Sequence, residues 1–422
     1  MNRSAALQHR WIATACLLLV FATTLIFYWP DVPFVGHNAA VNVPSLTSSF
    51  RPANHGLVKP AGVPVIGLIF FGRRDRVEVL RCYLERNLVT NGGWLDEIQW
   101  VRNTHDEKDL AYLRDDILPS NPLYTEIDIS EMPGSDQQDP AYENAWTKLR
   151  RGAIYIKIDD DVVFIGEDTI PRMVDLRVKD PSIFTVSANV INSPLMGWVH
   201  YHGGAMHPYL PEFPVDKSHH IPKLESTPWA YTSHPNWTGD ADWGFYAEDA
   251  VPEHYHRWLR MTESGDSLPS STAALMQRTP ITKIQYDTWG TGLRSWSIAA
   301  QEHYSFLENL HDDPSLDIYK LSKIWTTDYE RLSINMIAVL SDDILDNMPM
   351  TGVVDGKDNT PIADEEWLTV VMPRKLGRQV VVETDALVVH FSFRTQSGLF
   401  RTDLLGRYAD FARREVCIGR SE

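Results

Sequence analysis

Three consecutive aspartates interrupt an apolar stretch that otherwise has the pattern of a buried β-strand. Residues 153–158 precede Asp159, Asp160 and Asp161, and the apolar residues 162–165 follow them. Carboxylates this close together repel one another and lose hydration when buried, and a divalent cation relieves both costs. Alternate residues of a strand point to the same face, so Asp159 and Asp161 could bind one ion. The segment predicts a metal site; the alternative interpretation is a solvated acidic turn.

A second candidate segment follows the apolar run at residues 63–71, which is typical of a central strand. Gly72 leads there into Arg73, Arg74 and Arg76. Guanidinium groups are planar forks that suit phosphate oxygens, so these arginines could bind an anionic ligand. The alternative is that they are exposed surface residues, at least one of them.

Strand and helix patterns alternate along the chain. Apolar runs predict strands at 63–71, 96–101, 124–129, 154–158, 183–190, 334–340 and 379–393, and helical periodicity predicts helices at 77–88, 106–113, 298–310 and 364–371. This alternation is typical of an α/β fold with an open mixed sheet of mostly parallel strands, flanked by helices. Ligands bind such sheets at the carboxyl ends of the strands, where both candidate segments lie.

Composition and charge limit the classes of partner. The 422-residue chain is 43% hydrophobic and 23% charged, as in folded globular proteins. Its net charge of −17 argues against nucleic acid or an anionic lipid surface as the main partner. An anionic nucleotide could still bind, but it would need a metal ion or buried donors beside it.

The N-terminal residues predict a membrane anchor. Residues 11–29 are mostly apolar, and as a helix they would match the thickness of the hydrocarbon core. Arg3 and Arg10 precede this segment, so residues 1–10 would lie in the cytosol. No small-residue cleavage site follows, which favours a signal anchor over a cleaved signal peptide. We therefore expect a single-pass type II protein of the Golgi or ER membrane, with its C-terminal part in the lumen.

The rest of the chain predicts a stem and one large folded domain. Residues 30–62 are rich in Pro, Ser, Asn and Gly, as stems are, and the domain spans 63–415 with an irregular, aromatic-rich insertion at about 191–290. Asn236 begins an N-glycosylation sequon, which would suit a lumenal glycoprotein. Cys82 and Cys417 could pair, but the sequence alone leaves this open.

An Asp-x-Asp motif after a strand, in an α/β domain behind an anchor and a stem, resembles the GT-A class of nucleotide-sugar glycosyltransferases. Several segments also resemble a GT-A-like family of fungal and bacterial proteins. These segments are YIKIDDD at 155–161, AQEHYSFLENL at 300–310, YERLSIN at 329–335, DEEWL at 364–368 and HFSF at 390–393. The resemblance covers about residues 63–410.

The resemblance implies a donor site for a nucleotide sugar. Asp159 and Asp161 would hold Mn²⁺ or Mg²⁺ on the donor diphosphate, with Asp161 as the direct ligand and Asp159 closer to the ribose. His390 would complete the metal site, and its imidazole would favour Mn²⁺; the alternative for His390 is a core histidine. The residues expected to contact the donor are Phe71, Gly72, Arg73, Arg74, Arg76, Asp159 and Asp160.

The acidic segment at 364–366 resembles the motif that places a carboxylate beneath the acceptor hydroxyl, where it acts as a general base. Asp364, Glu365 and Glu366 are therefore the catalytic candidates. Glu-Glu stands where many GT-A members have Glu-Asp, so the sequence leaves open which carboxylate acts. Asp342 and Asp343 form a competing pair, and an acidic first turn of a helix is the structural alternative for both.

An aromatic segment supplies candidates for the acceptor pocket, namely Trp198, His200, Tyr201 and His202. Aromatic rings stack on the apolar faces of sugars, and neighbouring polar groups bind the hydroxyls. We therefore expect a glycan or glycoconjugate as the acceptor.

Three functions compete for this pattern. The hypothesis that we favour is a metal-dependent hexosyltransferase-type enzyme that uses a nucleotide sugar, by default a UDP-sugar. A non-catalytic lumenal carbohydrate-binding or scaffold protein would keep the fold without needing a base. A metal-dependent phosphohydrolase fits less well, because two-metal hydrolases require a second compact ligand cluster.

Overall fold

A mixed β-sheet forms the centre of the fold. The computed structural model describes residues 56–102, 104–132, 138–212, 228–237, 256–262, 272–354 and 356–417. Its strands in chain order are β1 (Val65–Phe71), β2 (Glu97–Arg102), β3 (Tyr124–Asp128), β4 (Ile154–Asp159), β5 (Val162–Ile165), β6 (Ile183–Ile191), β7 (Tyr209–Pro211), β8 (Trp258–Arg260), β9 (Ile324–Thr326), β10 (Met336–Leu340), β11 (Thr351–Val354), β12 (Lys357–Pro361) and β13 (Gln379–His390). Within those residues nine strands form one sheet, and β7 with β8 and β11 with β12 form two separate pairs.

The strand order of the large sheet is β3-β2-β1-β4-β10-β6-β13-β5, and β9 pairs with the first half of β13. The four strands β3, β2, β1 and β4 are parallel, and so are β6 and β13. Strand β10 runs antiparallel between β4 and β6, and β5 and β9 run antiparallel to β13. The expected α/β fold is present, with a mixed sheet in which β10, β5 and β9 are the antiparallel strands.

Helices cover both faces of the sheet. In chain order they are α1 (Arg74–Arg86), α2 (Glu107–Ala111), α3 (Gln138–Trp146), α4 (Thr169–Lys179), α5 (Pro194–His202), α6 (Thr272–Met276), α7 (Thr291–Arg294), α8 (Trp296–Asp312), α9 (Ser341–Leu345), α10 (Asp364–Glu366), α11 (Met372–Leu376) and α12 (Leu404–Phe411). Successive strand residues point to opposite faces, so Ile69 of β1 packs in one apolar core and Leu68 in another. Helix α8 lies in the larger core and is buried from Trp296 to Leu310.

Two segments differ from the sequence-based prediction. The region expected to be irregular contains helix α5, which begins at Pro194, a residue whose fixed φ suits the first helical turn. Residues 213–227, 238–255 and 263–271 of that region lie outside the described residues. The helical segment at 364–371 does not stop before Pro373 but continues through a wide turn into α11, where proline occupies the first turn and needs no N–H partner. It ends at Gly377, which has the left-handed φ of 63°.

The two ends of the folded part are joined by a disulfide between Cys82 of α1 and Cys417, whose Cα atoms lie 4.6 Å apart.

The predicted anchor and most of the predicted stem lie outside the described residues. Among the residues that are described, no helix has the length and apolar character needed to cross a membrane. Asn236 is exposed, while the third residue of its sequon lies outside the described residues.

Candidate metal site

The pairing of β13 with β5 places His390 beside the aspartates. In this antiparallel pair His390 lies opposite Val162, the residue that follows Asp161. The backbone N–H of Phe391 donates to the carbonyl oxygen of Asp161 at 2.8 Å. The strand register therefore brings together side chains that lie far apart in the sequence.

Asp159, Asp161 and His390 form a group that could hold a metal ion. One ligand atom from each residue lies within 4.8 Å of the other two. Asp161 and His390 are buried, and Asp159 is half-buried. Asp161 Oδ1 lies 3.3 Å from His390 Nε2, and it has no well-aligned hydrogen bond within the described part of the chain. A buried carboxylate oxygen in this state fits a cation, because an ion would satisfy its lone pairs.

Asp159 is held in place by β4 and β10. Its Oδ1 contacts Lys157 Nζ, and its Oδ2 accepts a hydrogen bond from Asn335 Nδ2 at 3.1 Å. Lys157 is buried and also donates to the carbonyl oxygen of Ile334 at 2.6 Å. Sequence analysis gave no role to Lys157 or Asn335, although a lysine inside an otherwise apolar strand was a signal that could have been used.

Arg73 neutralises the other two aspartates. Its Nε donates to Asp160 Oδ1 at 2.6 Å, and its Nη1 donates to Asp161 Oδ2 at 2.7 Å. Burial would raise the pKa of Asp161, but the charges of Arg73 and His390 hold it well below its usual range. For Asp160 burial prevails over the charge of Arg73 and raises the pKa. Asp161 is therefore the ionised acid that faces the other ligands, and Asp160 serves mainly to bind Arg73.

The neighbours of Arg73 take different positions. Phe71 is buried in the core, whereas Gly72 and Arg74 are exposed. A Cβ atom at Gly72 would lie 3.5 Å from Asp160 Oδ2, so this turn passes directly over the acidic group. The loop therefore brings its backbone and the guanidinium group of Arg73, rather than the ring of Phe71, next to the aspartates.

Arg76 is a buried positive charge next to the same group. Its guanidinium carbon lies 4.5 Å from the centre of the Phe400 ring and 5.6 Å from that of Phe391. Its Nε and Nη2 have no hydrogen-bond partner among the described residues. Its charge helps to lower the pKa of Asp161. Arg76 therefore adds positive potential next to the candidate metal site.

The acidic motif at α10 lies within electrostatic reach of this site. Trp146 Nε1 donates to Asp364 Oδ2 at 3.0 Å, and Arg331 Nε lies 3.0 Å from Glu365 Oε1. Burial raises the pKa of Glu365 to about 7; the charge of Arg331 opposes the rise, and Asp159 contributes to it. The pKa of Asp364 is also raised by burial. Glu366 is the more exposed of the two glutamates, and its Oε2 lies 3.5 Å from Arg331 Nε.

The competing acidic pair lies at the opposite end of strand β4. Leu340, at the end of β10, pairs with Ile154 at the start of β4, so the following residues lie far along the strand from Asp159. Asp342 pairs with Arg151 at 3.0 Å, and Asp343 accepts from Arg378 at 2.7 Å. These carboxylates therefore form structural ion pairs away from the candidate metal site.

The residues predicted for the acceptor pocket lie on helix α5 and face in different directions. His200 is buried, and its Nε2 lies 2.8 Å from Asn189 Oδ1. Burial lowers the pKa of His200 to about 3, so this histidine is a neutral interior residue. His202 is exposed, Tyr201 and Trp198 are half-buried, and the rings of Trp198 and His202 lie 4.2 Å apart.

A buried polar layer supports the backbone that follows His390. Asn192 Nδ2 donates to the carbonyl oxygen of Phe391 at 3.0 Å, and His303 Nε2 lies 2.9 Å from the same oxygen. Glu302 Oε2 accepts from the backbone N–H of Asn192 at 2.9 Å.

No protein-family model and no curated protein matches this chain.

Proposed function

We propose that this protein is a metal-dependent glycosyltransferase with a GT-A-like fold. It would transfer a sugar from a nucleotide diphosphate, by default a UDP-sugar, to a hydroxyl of a glycan or glycoconjugate. The observation that carries the proposal is the buried group of Asp159, Asp161 and His390 with Arg73 beside it. That group combines a cation site with fixed positive charge, as a diphosphate requires.

The donor side needs a group that stabilises charge on the leaving phosphate. Asp159, Asp161 and His390 would hold Mn²⁺ or Mg²⁺, and the imidazole favours Mn²⁺. A bound ion of this kind supplies Lewis acidity toward the phosphate oxygens. Arg73 has 42% of its side chain exposed and can turn an N–H toward the diphosphate while it stays close to Asp161.

The acceptor side needs a carboxylate that can take a proton. Glu365 suits this role because its pKa of about 7 leaves a large fraction ionised near neutral pH, while the ionised form remains a usable base. Arg331 orients the carboxylate through its 3.0 Å contact. We therefore assign Glu365 as the general base and Glu366 as its more exposed neighbour.

The proposed location is the lumen of the Golgi or ER, with residues 11–29 as the anchor. Disulfides form and persist in oxidising compartments, and the Cys82–Cys417 bond suits such a location. The exposure of Asn236 suits a glycosylated lumenal protein.

The test is a thermal-shift screen of the full-length protein against UDP-, GDP- and CMP-sugars, each with and without Mn²⁺. We expect one nucleotide class to raise the unfolding temperature only when Mn²⁺ is present. Asp161→Asn should remove this shift, because it takes away the charged oxygen that faces His390.

The matched control is Asp160→Asn. Asp160 is also buried and also binds Arg73, but it is not one of the three residues that could hold the metal ion. It should keep the metal-dependent shift. Full metal-dependent binding by Asp161→Asn would contradict the assigned site. Glycan binding by the wild type without any nucleotide or metal dependence would instead support a non-catalytic carbohydrate-binding protein.

A further inference from the structure

Trp289 is a large aromatic side chain that is exposed beside the proposed general base. Its side chain is 52% exposed, and the guanidinium carbon of Arg331 lies 4.3 Å from its ring centre. Its position is fixed by the backbone, since Asp287 Oδ1 accepts from the N–H of Trp289 at 2.8 Å. The next anchor is Thr288 Oγ1, which donates to the carbonyl oxygen of Arg331 at 2.7 Å. The backbone on either side of the tryptophan is therefore anchored beside Arg331.

The same arginine joins Trp289 to the catalytic carboxylates. Arg331 Nε lies 3.0 Å from Glu365 Oε1 and 3.5 Å from Glu366 Oε2, while its guanidinium carbon lies over the Trp289 ring. One side chain thus contacts both an exposed aromatic ring and the proposed base. A molecule that stacks on Trp289 would lie next to the group that must accept its proton.

Three further aromatic rings form a group around Tyr286, which lies three residues before Trp289 in the sequence. Tyr286 is 42% exposed and stacks on Trp325, with ring centres 6.0 Å apart and planes inclined by 7°. The Trp198 ring meets Tyr286 edge-on at 5.5 Å. We call Trp198, Tyr286, Trp289 and Trp325 the aromatic surface. Tyr286 and Trp289 are its exposed members, and Trp198 and Trp325 are half-buried beside Tyr286. Exposed apolar surface of this kind marks a binding site on a monomeric protein.

The charges around the aromatic surface indicate what would bind there. Glu365 and Glu366 contact Arg331, the arginine that lies over the Trp289 ring. The negative charges of Glu330 and Asp328 add to the effect of burial in raising the pKa of Tyr286. Carboxylates accept hydrogen bonds from hydroxyl groups but repel anions. Rings that offer apolar faces, with acceptors at their edges, suit a ligand that has apolar C–H faces and many hydroxyls.

We propose that the aromatic surface binds the acceptor, and that the acceptor is a neutral oligosaccharide. This inference rests on the proposed glycosyltransferase function and specifies its substrate class. Trp289 stacks the sugar unit that receives the new bond, with its hydroxyl toward Glu365. Tyr286 and Trp325, together with Trp198, bind the units that follow. The buried His200, in contrast, is a structural residue of α5.

The test measures binding of immobilised neutral oligosaccharides of glucose, galactose, mannose and N-acetylglucosamine to the full-length protein. Sulfated oligosaccharides and a lysine-rich peptide are included as competitors of other chemistry. We expect the wild type to bind at least one neutral oligosaccharide, and Trp289→Ala to weaken that binding by about tenfold or more. Trp289→Phe keeps a ring and should recover most of the affinity. Val178→Ala on α4, another exposed apolar residue, should change nothing.

Metal-dependent nucleotide binding is measured on the same samples and should be the same in all variants. Unchanged glycan binding by Trp289→Ala, preference for the peptide or the sulfated probes, or no glycan binding by the wild type would each overturn the acceptor assignment. Such results would leave the proposed function standing as long as nucleotide binding requires Mn²⁺. Loss of neutral-glycan binding in Trp289→Ala, with no metal-dependent nucleotide binding in the wild type, would refute the enzyme instead.

Discussion

At the scale of single residues, the site depends on how three adjacent acids are kept in different states. Arg73 binds Asp160 and Asp161, while Lys157 binds Asp159. Burial raises the pKa of Asp160, whereas the charges of Arg73 and His390 hold the pKa of Asp161 well below its usual range. Asp159 and Asp161 are the two acids that lie next to His390. Asp160 therefore binds the arginine loop, and the other two acids face the candidate metal site.

Glu365 gives a prediction for the pH dependence of sugar transfer. Because burial raises its pKa to about 7, the carboxylate is largely protonated in acid and becomes a base as the pH rises through that value. We expect kcat/KM, measured as sugar transfer to a glycan acceptor, to increase with pH and level off above about 7. Glu365→Gln should lower kcat by about 10²- to 10⁴-fold.

Glu366→Gln is the matched control, because it removes a neighbouring carboxylate that faces the same arginine. It should retain most of kcat and show the same pH profile as the wild type. A large loss in Glu366→Gln together with normal turnover by Glu365→Gln would transfer the role of base to Glu366.

At the scale of elements, the site is built where strands end and helix α8 packs beneath them. The expected strands β1, β4 and β13 all form, and each supplies site residues at its carboxyl end. Their apolar runs made them predictable from the sequence. The contacts of Arg73 with Asp160 and of Arg331 with Glu365 were not predictable, because they join residues that only the tertiary fold brings together.

Glu302, on helix α8, gives a prediction about the free energy of unfolding. Burial raises the pKa of Glu302 to about 8, against one hydrogen bond from the backbone of Asn192 that lowers it. The folded protein therefore holds this proton at pH values where the unfolded chain has released it. Between the ordinary glutamate pKa of 4.5 and about 8, folding binds protons, so the free energy of unfolding falls as the pH rises. The full cost is present above pH 8.

Glu302→Gln should abolish this contribution, because the amide keeps the shape of the side chain without a charge. The measurement is urea unfolding of both proteins across this pH range. We expect the free energy of unfolding of the variant to increase relative to that of the wild type as the pH rises. The difference should grow by a few kcal/mol in total, on the order of 1.4 kcal/mol per pH unit. A difference in unfolding free energy that stays constant with pH would mean that Glu302 is ionised in the folded protein.

At the scale of the whole molecule, strand direction is what the sequence could not reveal. The apolar run of β10 predicts a strand but not its direction. In the structure this strand lies antiparallel between β4 and β6. The chain leaves β6 and enters β10 at the same end of the sheet, so β10 runs antiparallel to β6. This direction places Asn335 beside Asp159 and Asp342 at the far end of β4. The sequence alone could not separate Asp342 from the acidic residues of the site, because it does not give the direction of β10.

The disulfide also acts on the whole molecule, because Cys82 and Cys417 are 335 residues apart and enclose nearly the entire domain. A bond that closes so long a loop restricts the unfolded chain, and its loss typically costs about 2–5 kcal/mol of unfolding free energy. We expect Cys82→Ser and Cys417→Ser each to reduce this free energy in urea, and reductant to reduce that of the wild type similarly. The double variant should lose no more than either single one, since all three break the same bond. Additive losses would show instead that each cysteine stabilises the fold through its own packing.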